Sequence, residues 1–291
     1  MFRNLIVLSV FVILSANALA ADKISVLIID GQNNHNWKAT TPVLTKILDE
    51  AGLFTVEVAT SPPRGQDISS FSPEFSKFDV VLSNYNGAMW SKETQAAFEA
   101  YVKGGGGVVI VHAANNAFGG WKEYNDMIGL GWRGNSFGDR LTFNDDGKEV
   151  RTPKGEGPGA GHGPQHEFSI IVRNDSHPVT KGMPQQWMHA KDELYHGQRG
   201  PAANMQILAT AYSASDRRGT SSHEPMIWVI PYGKGKVLTT VMGHADYSMT
   251  CSGFATTVQR AAEWVATGTV TQEIPKDFPG TDKVTVRDYK K

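Results

Sequence analysis

The stretch GGGGVVIVHAANNAF, residues 104–118, decides the fold that the rest of the chain has to accommodate. Four glycines end a helical segment, and residues 108–111 then form a short, wholly apolar run. Such a run is typical of a strand buried on both faces of a parallel sheet. It stops at His112 and continues into a loop that contains Asn115 and Asn116. Because open α/β sheets bind ligands at the carboxyl ends of their strands, we expect this loop to form the floor of a site.

Strands and helices alternate on the N-terminal side of this stretch. Residues 24–30, 54–59 and 79–83 are predicted strands. Thr41 is predicted to cap the first helix, with Pro42 at its first position, and Ser91 to cap the second. This alternation predicts a doubly wound, mostly parallel sheet of the flavodoxin-like kind.

The C-terminal half departs from the alternation. Residues 119–164 lack a regular period and are predicted to form a long loop insertion or lid. Further strands are predicted at residues 168–172, 206–212, 226–230 and 236–242, and a closing helix at residues 254–267. The turn at residues 232–235 predicts a hairpin, so this edge of the sheet should be antiparallel. Residues 21–291 are therefore interpreted as a single α/β domain.

The first twenty residues are predicted to be a secretory signal peptide. Arg3 supplies the positive charge, residues 5–14 the apolar region, and Ala18-Leu19-Ala20 the cleavage pattern. The apolar run is too short to span a membrane, which takes about 20 apolar residues. We therefore expect a mature chain that begins near Ala21 and is periplasmic or secreted.

Charge and cysteine content narrow the range of partners. Lys and Arg number 28 against 29 Asp and Glu, so the net charge is −1. Without a basic patch, neither nucleic acid nor an anionic membrane is expected as a partner, and a neutral small molecule is. Cys251 is the one cysteine. It precedes the last helix rather than following the central strand, which disfavours a role as nucleophile.

Polar side chains follow four of the predicted strands. His35 follows the first, Tyr85 and Asn86 the third, His112 the fourth and His244 the last. Parallel strands end at one edge of a sheet, so these clusters should converge on one site. The alternative is that the residues are polar only because loops are polar.

The residue types favour a sugar ligand. Amides and carboxylates bind neighbouring hydroxyl groups, and aromatic rings cover the apolar face of a sugar. A histidine beside a carboxylate could move protons next to a sugar carbonyl. The alternative for Glu193 is a structural role as the buried partner of a backbone or arginine donor. Predicted substrate-binding residues are His35, Trp37, Tyr85, Asn86, Asn115, Asn116 and Glu224, and predicted catalytic residues are His112, Asp192, Glu193 and His244.

Other histidines suggest a divalent metal ion. His162, His166 and His196 are the candidate ligands, and Gly163-Pro164 means that the first two would bind from a loop. A site with an open water position needs such a proportion of histidine and carboxylate, although no HExxH motif is present. The competing interpretation is that these histidines only form hydrogen bonds.

Several motifs resemble the ThuA-like, or trehalose-utilisation, family. They are HPVTKGMP (residues 177–184), WMHAKDELYH (187–196), YGKGKVLTTVMGH (232–244) and GF…EWVATGTVT (253–271). The resemblance implies a fold similar to class I glutamine amidotransferases, and a role in the catabolism of trehalose and related disaccharides alongside oxidoreductases that make 3-keto sugars. The glutaminase cysteine is missing from the turn after the central strand, so that activity is not implied.

Two functions remain open from the sequence. The first is an exported enzyme that acts on a glycoside or keto-sugar, such as a trehalose-related or 3-keto-glucoside substrate, by histidine and carboxylate chemistry with or without a metal. The second is a carbohydrate-binding protein that uses the same amides and aromatic rings without catalysis. Turnover of an oxidised glycoside distinguishes the two.

Overall fold

The computed structural model describes residues 22–289, so the predicted signal peptide lies outside the described residues. The strands are β1 (Ile24–Asp30), β2 (Phe54–Thr60), β3 (Val80–Ser83), β4 (Gly107–Val111), β5 (Arg140–Phe143), β6 (Glu149–Thr152), β7 (Gly161–His162), β8 (His166–Val172), β9 (Gln186–Asp192), β10 (Tyr195–His196), β11 (Gln206–Ser213), β12 (Ser222–Tyr232) and β13 (Gly235–Thr240). The helices are α1 (Trp37–Glu50), α2 (Lys92–Gly104), α3 (Lys122–Ile128), α4 (Asp246–Met249) and α5 (Ser252–Thr267).

One mixed sheet organises the chain, in the order β2-β1-β3-β4-β13-β12-β11-β8-β9. The strands from β2 to β13 pair in parallel, and those from β13 to β9 pair antiparallel. Strands β5 and β6 extend from β12, and β7 pairs with β10 in a separate two-stranded sheet. The predicted α/β fold with an antiparallel edge is confirmed. Because four antiparallel steps separate β13 from β9, β9 runs in the same direction as the parallel strands.

The apolar run at residues 108–111 is buried on both faces because helices cover both faces of β4. Val109 and Val111 pack in a core with residues of α1 and α5, and Val108 and Ile110 pack in a second core with residues of α2 and α3. Side chains alternate across a strand, so one apolar strand serves both cores. This confirms the interpretation of β4 as a central parallel strand.

The predicted start of the first helix is wrong. Helix α1 begins at Trp37 and includes Pro42, which the sequence placed at the first position. The extra turn is held by the Asn84 amide, whose Nδ2 donates to the hydroxyls of Thr40 and Thr41 at 2.9 and 3.1 Å. A tertiary contact therefore adds helix where the local capping pattern indicated a loop.

The insertion at residues 119–164 is more regular than predicted, since it contains α3, β5, β6 and β7. Tyr124, Met127 and Ile128 recur at helical spacing and are buried. Arg199 is fully buried and donates to the carbonyl oxygens of Pro153 and Pro158 at 3.3 and 2.9 Å, which fixes the insertion to the domain. Within residues 22–289, no helix combines the length and apolarity needed to cross a membrane.

Candidate active site

Four side chains meet at one edge of the sheet. His35 follows β1, His112 follows β4, Glu193 follows β9 and His244 lies shortly after β13. The ring centroids of His35 lie 4.9 Å from His112 and 4.4 Å from His244, and the last two are 5.5 Å apart. All four strands run in the same direction, which explains why their carboxyl ends deliver these residues to one place. The structure thus brings together His35, His112 and His244, as the sequence predicted.

The Glu193 carboxylate lies among the histidines. Its Oε2 is 3.1 Å from His244 Nδ1 and 3.6 Å from His112 Nε2, and its Oε1 is 3.6 Å from His162 Nε2. In His35, His112, Glu193 and His244, one ligand atom each lies within 4.8 Å of the others. We call these four residues the histidine–glutamate cluster. Their atoms are spaced to act on one small group.

His112 occupies an unusual backbone conformation. Its φ is 44°, in the left-handed region that residues other than glycine seldom adopt. Its Nδ1 donates to the carbonyl oxygen of Val241 at 2.7 Å, which orients the ring and leaves Nε2 facing Glu193. Strained backbone of this kind persists where the surrounding structure enforces it, commonly at functional sites. The turn after β4 therefore presents a histidine in a fixed orientation.

Asp192 has a different role from the one predicted. It is fully buried, and its Oδ2 lies 2.7 Å from His189 Nε2 and accepts the backbone N–H of Gly243 at 2.7 Å. Its Oδ1 accepts the backbone N–H groups of Glu193 at 2.8 Å and His244 at 3.1 Å. The catalytic prediction for Asp192 is replaced by a positioning role, because both oxygens are engaged in holding the backbone that carries Glu193 and His244.

The cluster shifts the pKa values of its own members. Burial, together with the nearby His112 and His244 rings, lowers the pKa of His35 to about 4. Burial alone would raise the pKa of Glu193, but His112 and His244 outweigh it and hold the pKa well below its ordinary value. Burial acts to lower the pKa of His244, and the Glu193 carboxylate reverses this and raises it. The Glu193 carboxylate that faces His244 is therefore charged.

An aromatic wall adjoins the cluster. The Tyr195 ring is centred 4.3 Å from His112 and 4.5 Å from Trp132, and Trp132 lies 5.7 Å from His162. Burial and the Glu193 charge raise the pKa of Tyr195 well above its ordinary value, so it is a neutral phenol. The side chains of His162 and His244 are 35% and 17% exposed, so solvent reaches the cluster beside them. A small molecule entering there would meet Trp132 of the insertion.

Two predicted substrate-binding residues act on the cluster through others. Asn86 Nδ2 donates to Asn34 Oδ1 at 2.6 Å, and Asn34 Nδ2 lies 3.1 Å from His35 Nε2. Asn116 lies close enough to Tyr195 to lower the pKa of its hydroxyl against the effect of burial. Asn86 is therefore placed to orient His35 through Asn34, and Asn116 adjoins Tyr195.

The other predicted substrate-binding residues are not members of the histidine–glutamate cluster. Tyr85 is fully buried in an aromatic core, and its hydroxyl donates to the carbonyl oxygen of Ala88 at 2.8 Å. Glu224 is fully buried and pairs with Arg140. Asn115 is buried and donates to Gln198, while Trp37 lines a cavity with residues of the loop after β1. The structure gives Tyr85 and Glu224 structural roles because their polar atoms are already paired.

The structure does not bring His162, His166 and His196 together as a ligand set. Tyr195 of β10 is paired with His162 of β7, and neighbouring residues of a strand face opposite ways. Tyr195 accordingly faces His112, whereas His196 Nδ1 lies 3.1 Å from Ser213 Oγ. The His166 Nδ1 lies 2.8 Å from the carbonyl oxygen of Pro164. Among residues 22–289, the group spaced to hold a metal is the histidine–glutamate cluster, which shares none of these three residues.

Three residues at the site were not predicted. Gln165 Nε2 lies 2.9 Å from His244 Nε2, and His189 supports Asp192. Tyr195 lies within the DELYH segment, which was the available signal for it. For Gln165 the sequence offers a weaker indication, namely its position between the candidate histidines His162 and His166. The role of His189 could be predicted only by knowing that β9 ends at Asp192.

The fold and this cluster define an α/β protein with a histidine and carboxylate centre at the carboxyl edge of its sheet. A family model described as ThuA, trehalose utilisation, matches residues 25–265, so the chain belongs to the ThuA family. A ThuA-like protein from Parabacteroides merdae is similar in structure, with 43% sequence identity and a TM-score of 0.88 over 93% of this chain and 100% of the other. A second, from Bacteroides uniformis, shares the fold at 19% identity, with a TM-score of 0.59 over 88% of this chain and 96% of the other. A comparison with curated proteins finds no match.

Proposed function

We propose that this protein is an exported enzyme of sugar utilisation that acts on a glycoside carrying a keto group, such as a 3-keto-glucoside or an oxidised trehalose. The observation that carries the proposal is the meeting of Glu193 with His35, His112 and His244 beside the aromatic wall. The family's association with trehalose utilisation supports a sugar as the substrate class.

Proton transfer beside a carbonyl suits these groups. A keto group at C3 acidifies the C2 proton, and a carboxylate or neutral imidazole can accept that proton. The electron pair left at C2 can then expel the glycosidic oxygen from C1, which takes a proton from an imidazolium and leaves as an alcohol. Glu193 and His244, whose facing atoms are 3.1 Å apart, are a base and an acid within reach of one ring. Trp132, which is half-buried and packs against Tyr195, would cover the apolar face of the sugar.

The test measures turnover and proton exchange separately. The mature protein is incubated with 3-keto-trehalose in deuterated water, and NMR records deuterium at C2 and release of glucose. We expect both with the wild type, and losses of about 100-fold or more with Glu193→Gln and with His112→Asn, since asparagine also tolerates a left-handed backbone. Trehalose itself, which lacks the carbonyl, should not react.

Binding without exchange or release would contradict the enzyme proposal and favour a carbohydrate-binding protein on the same site. Unchanged rates in both variants would contradict the residue assignment. Circular dichroism and unfolding midpoints of the variants show whether the fold is intact.

Export is part of the same proposal and rests on residues 1–20 of the sequence. N-terminal sequencing of the protein recovered from the periplasm or medium should give a chain starting at Ala21. A full-length chain retained in the cytoplasm would contradict it.

A further inference from the structure

We infer that the histidine–glutamate cluster binds one divalent transition-metal ion, with His35, His112, His244 and Glu193 as ligands. The inference rests on the proposed function for its choice of site, but it can be tested without any sugar. It replaces His162, His166 and His196 as the candidate ligands with residues that follow four strands of the sheet.

The spacing of the four side chains fits a single ion. Their ligand atoms lie within 4.8 Å of one another. Metal–nitrogen bonds of about 2.1 Å place tetrahedral ligand atoms about 3.4 Å apart. Small side-chain rotations therefore suffice to close the set, since the residues are carried on strand ends that the sheet fixes.

The facing nitrogens of His112 and His244 share one neighbour, the Glu193 carboxylate. His112 Nε2 and His244 Nδ1 are buried without a hydrogen-bond partner in the described part of the chain. Yet they lie 3.6 and 3.1 Å from the same Glu193 oxygen. Two imidazole nitrogens and a carboxylate oxygen that lie this close together without a hydrogen bond have the arrangement of ligands around a shared cation.

The surrounding contacts resemble those that orient metal ligands. A ligating histidine usually donates its other N–H to a carbonyl or carboxylate, and His112 Nδ1 donates to the Val241 carbonyl at 2.7 Å. Asp192 accepts the backbone N–H groups of Glu193 and His244, which fixes two further ligands.

The contacts of His244 also allow ligation. Its Nε2 lies 2.9 Å from the Gln165 amide, whose other end meets the Tyr247 hydroxyl. A hydroxyl both donates and accepts, so the amide can turn its oxygen to the Nε2 proton and leave Nδ1 free for the ion.

The donor set selects the class of ion. Three imidazoles and one carboxylate favour zinc, iron, cobalt or nickel over magnesium or calcium, which prefer sets made of oxygen. An ion held here would act as a Lewis acid towards a sugar carbonyl, and because Glu193 and His244 would then be ligands, a water on the ion would take the C2 proton in their place. This chemistry matches the keto group in the proposed substrate.

The test uses Zn²⁺ and Co²⁺ as probes on full-length mature protein stripped with a chelator. Calorimetry and elemental analysis should give one Zn²⁺ per chain, Co²⁺ should produce visible absorption bands of a nitrogen-ligated ion, and Mg²⁺ should not compete. His35→Ala and His244→Ala should weaken Zn²⁺ binding by about 100-fold or more. The matched control His166→Ala removes an imidazole outside the cluster and should bind as the wild type does.

Unfolding midpoints of the metal-free variants show whether weaker binding reflects lost ligands or a lost fold, and His112→Asn supplies a further ligand variant if one of the others misfolds. A wild type that takes up no Zn²⁺, or equal loss in His166→Ala, would overturn the inference. Zinc binding with no turnover of keto-sugars would support the metal site and contradict the proposed function. Turnover by a wild type that binds no zinc would contradict the metal site alone.

Discussion

Asp192 and Glu193 are consecutive carboxylates with opposite surroundings. Asp192 is fully buried, and four donors occupy its two oxygens, three of them backbone N–H groups and one the His189 ring. Glu193 faces three histidine nitrogens at 3.1 to 3.6 Å. The end of β9 turns one carboxylate into the domain and the other towards the site.

The difference shows how to tell a supporting carboxylate from a reactive one. Both are buried, and the pKa of each is held below its ordinary value against the effect of burial. What separates them is the geometry of their partners. Both oxygens of Asp192 already accept hydrogen bonds from aligned donors, whereas Glu193 is surrounded by histidines that can each bind a proton or an ion. We therefore expect substitutions at the two positions to affect different measurements.

The largest effect is expected from Glu193→Gln. The amide keeps the shape but loses the charge, so turnover of the keto-sugar should fall by about 100-fold or more. The free energy of unfolding should fall by about 1 kcal/mol, less than in Asp192→Asn, since this carboxylate, unlike that of Asp192, accepts no backbone N–H group from the described residues. Steady-state kinetics and urea unfolding measure the two quantities. A large loss of stability with normal turnover would mean that Glu193, like Asp192, supports the fold rather than the reaction.

Asp192→Asn should show the opposite balance. An amide nitrogen would face a backbone N–H or the His189 ring, which leaves a buried donor unpaired at a cost of about 3 kcal/mol. Turnover of the folded fraction should fall less than in Glu193→Gln, because Asp192 acts only by positioning. Urea unfolding and kinetics at low temperature check this expectation, and an unchanged midpoint would show that the four contacts of Asp192 do not support the fold.

Asp192 and Glu193 also show how much of the site could be predicted from the sequence. The histidines after β1, β4 and β13 could be placed at one edge, because apolar parallel strands are plain in the sequence, whereas Asp192 and Glu193 were selected by residue type alone. The different roles of Asp192 and Glu193 could not be predicted, because they depend on where β9 ends. Its sequence QWMHAKD has no clean alternation, and a strand was not predicted there. The start of α1 was wrong for a similar reason, since Asn84 stabilises that turn from a distant strand.

Asp192 and His189 should be energetically coupled. Their side chains are 2.7 Å apart and both are fully buried, so each loses its partner when the other is changed. A double-mutant cycle of Asp192→Asn and His189→Gln should give a coupling of about 1 to 3 kcal/mol in unfolding free energy. A cycle of His189→Gln with Glu193→Gln serves as the control and should be close to additive.

Acid titration of stability sharpens the same contrast. The pKa of Asp192 is lowered in the folded state, because its donors outweigh the effect of burial. A lowered carboxyl pKa contributes stability that is present above the unfolded value of about 3.9 and is lost as the pH falls below it. Below about pH 4 the stability of the wild type should therefore decline more steeply than that of Asp192→Asn. Urea unfolding between pH 3 and 6 measures the two slopes, and equal slopes would mean that Asp192 is protonated alike in both states.

The smallest effect is expected from Cys251→Ala, which tests whether any reacting group lies beside Asp192 rather than beside Glu193. Cys251, His189 and Asp192 have the residue types of a nucleophilic triad, since the His189 ring lowers the pKa of the Cys251 thiol against the effect of burial and Asp192 lies 2.7 Å from the same ring. All three are fully buried, however, so a substrate carbonyl has no route to the sulfur. The alanine variant should keep wild-type turnover and lose about 1 kcal/mol of stability from the vacated volume. A loss of turnover as large as that of Glu193→Gln would contradict this expectation. It would indicate that the Cys251 thiol reacts, and that the reaction takes place beside Asp192 rather than beside Glu193.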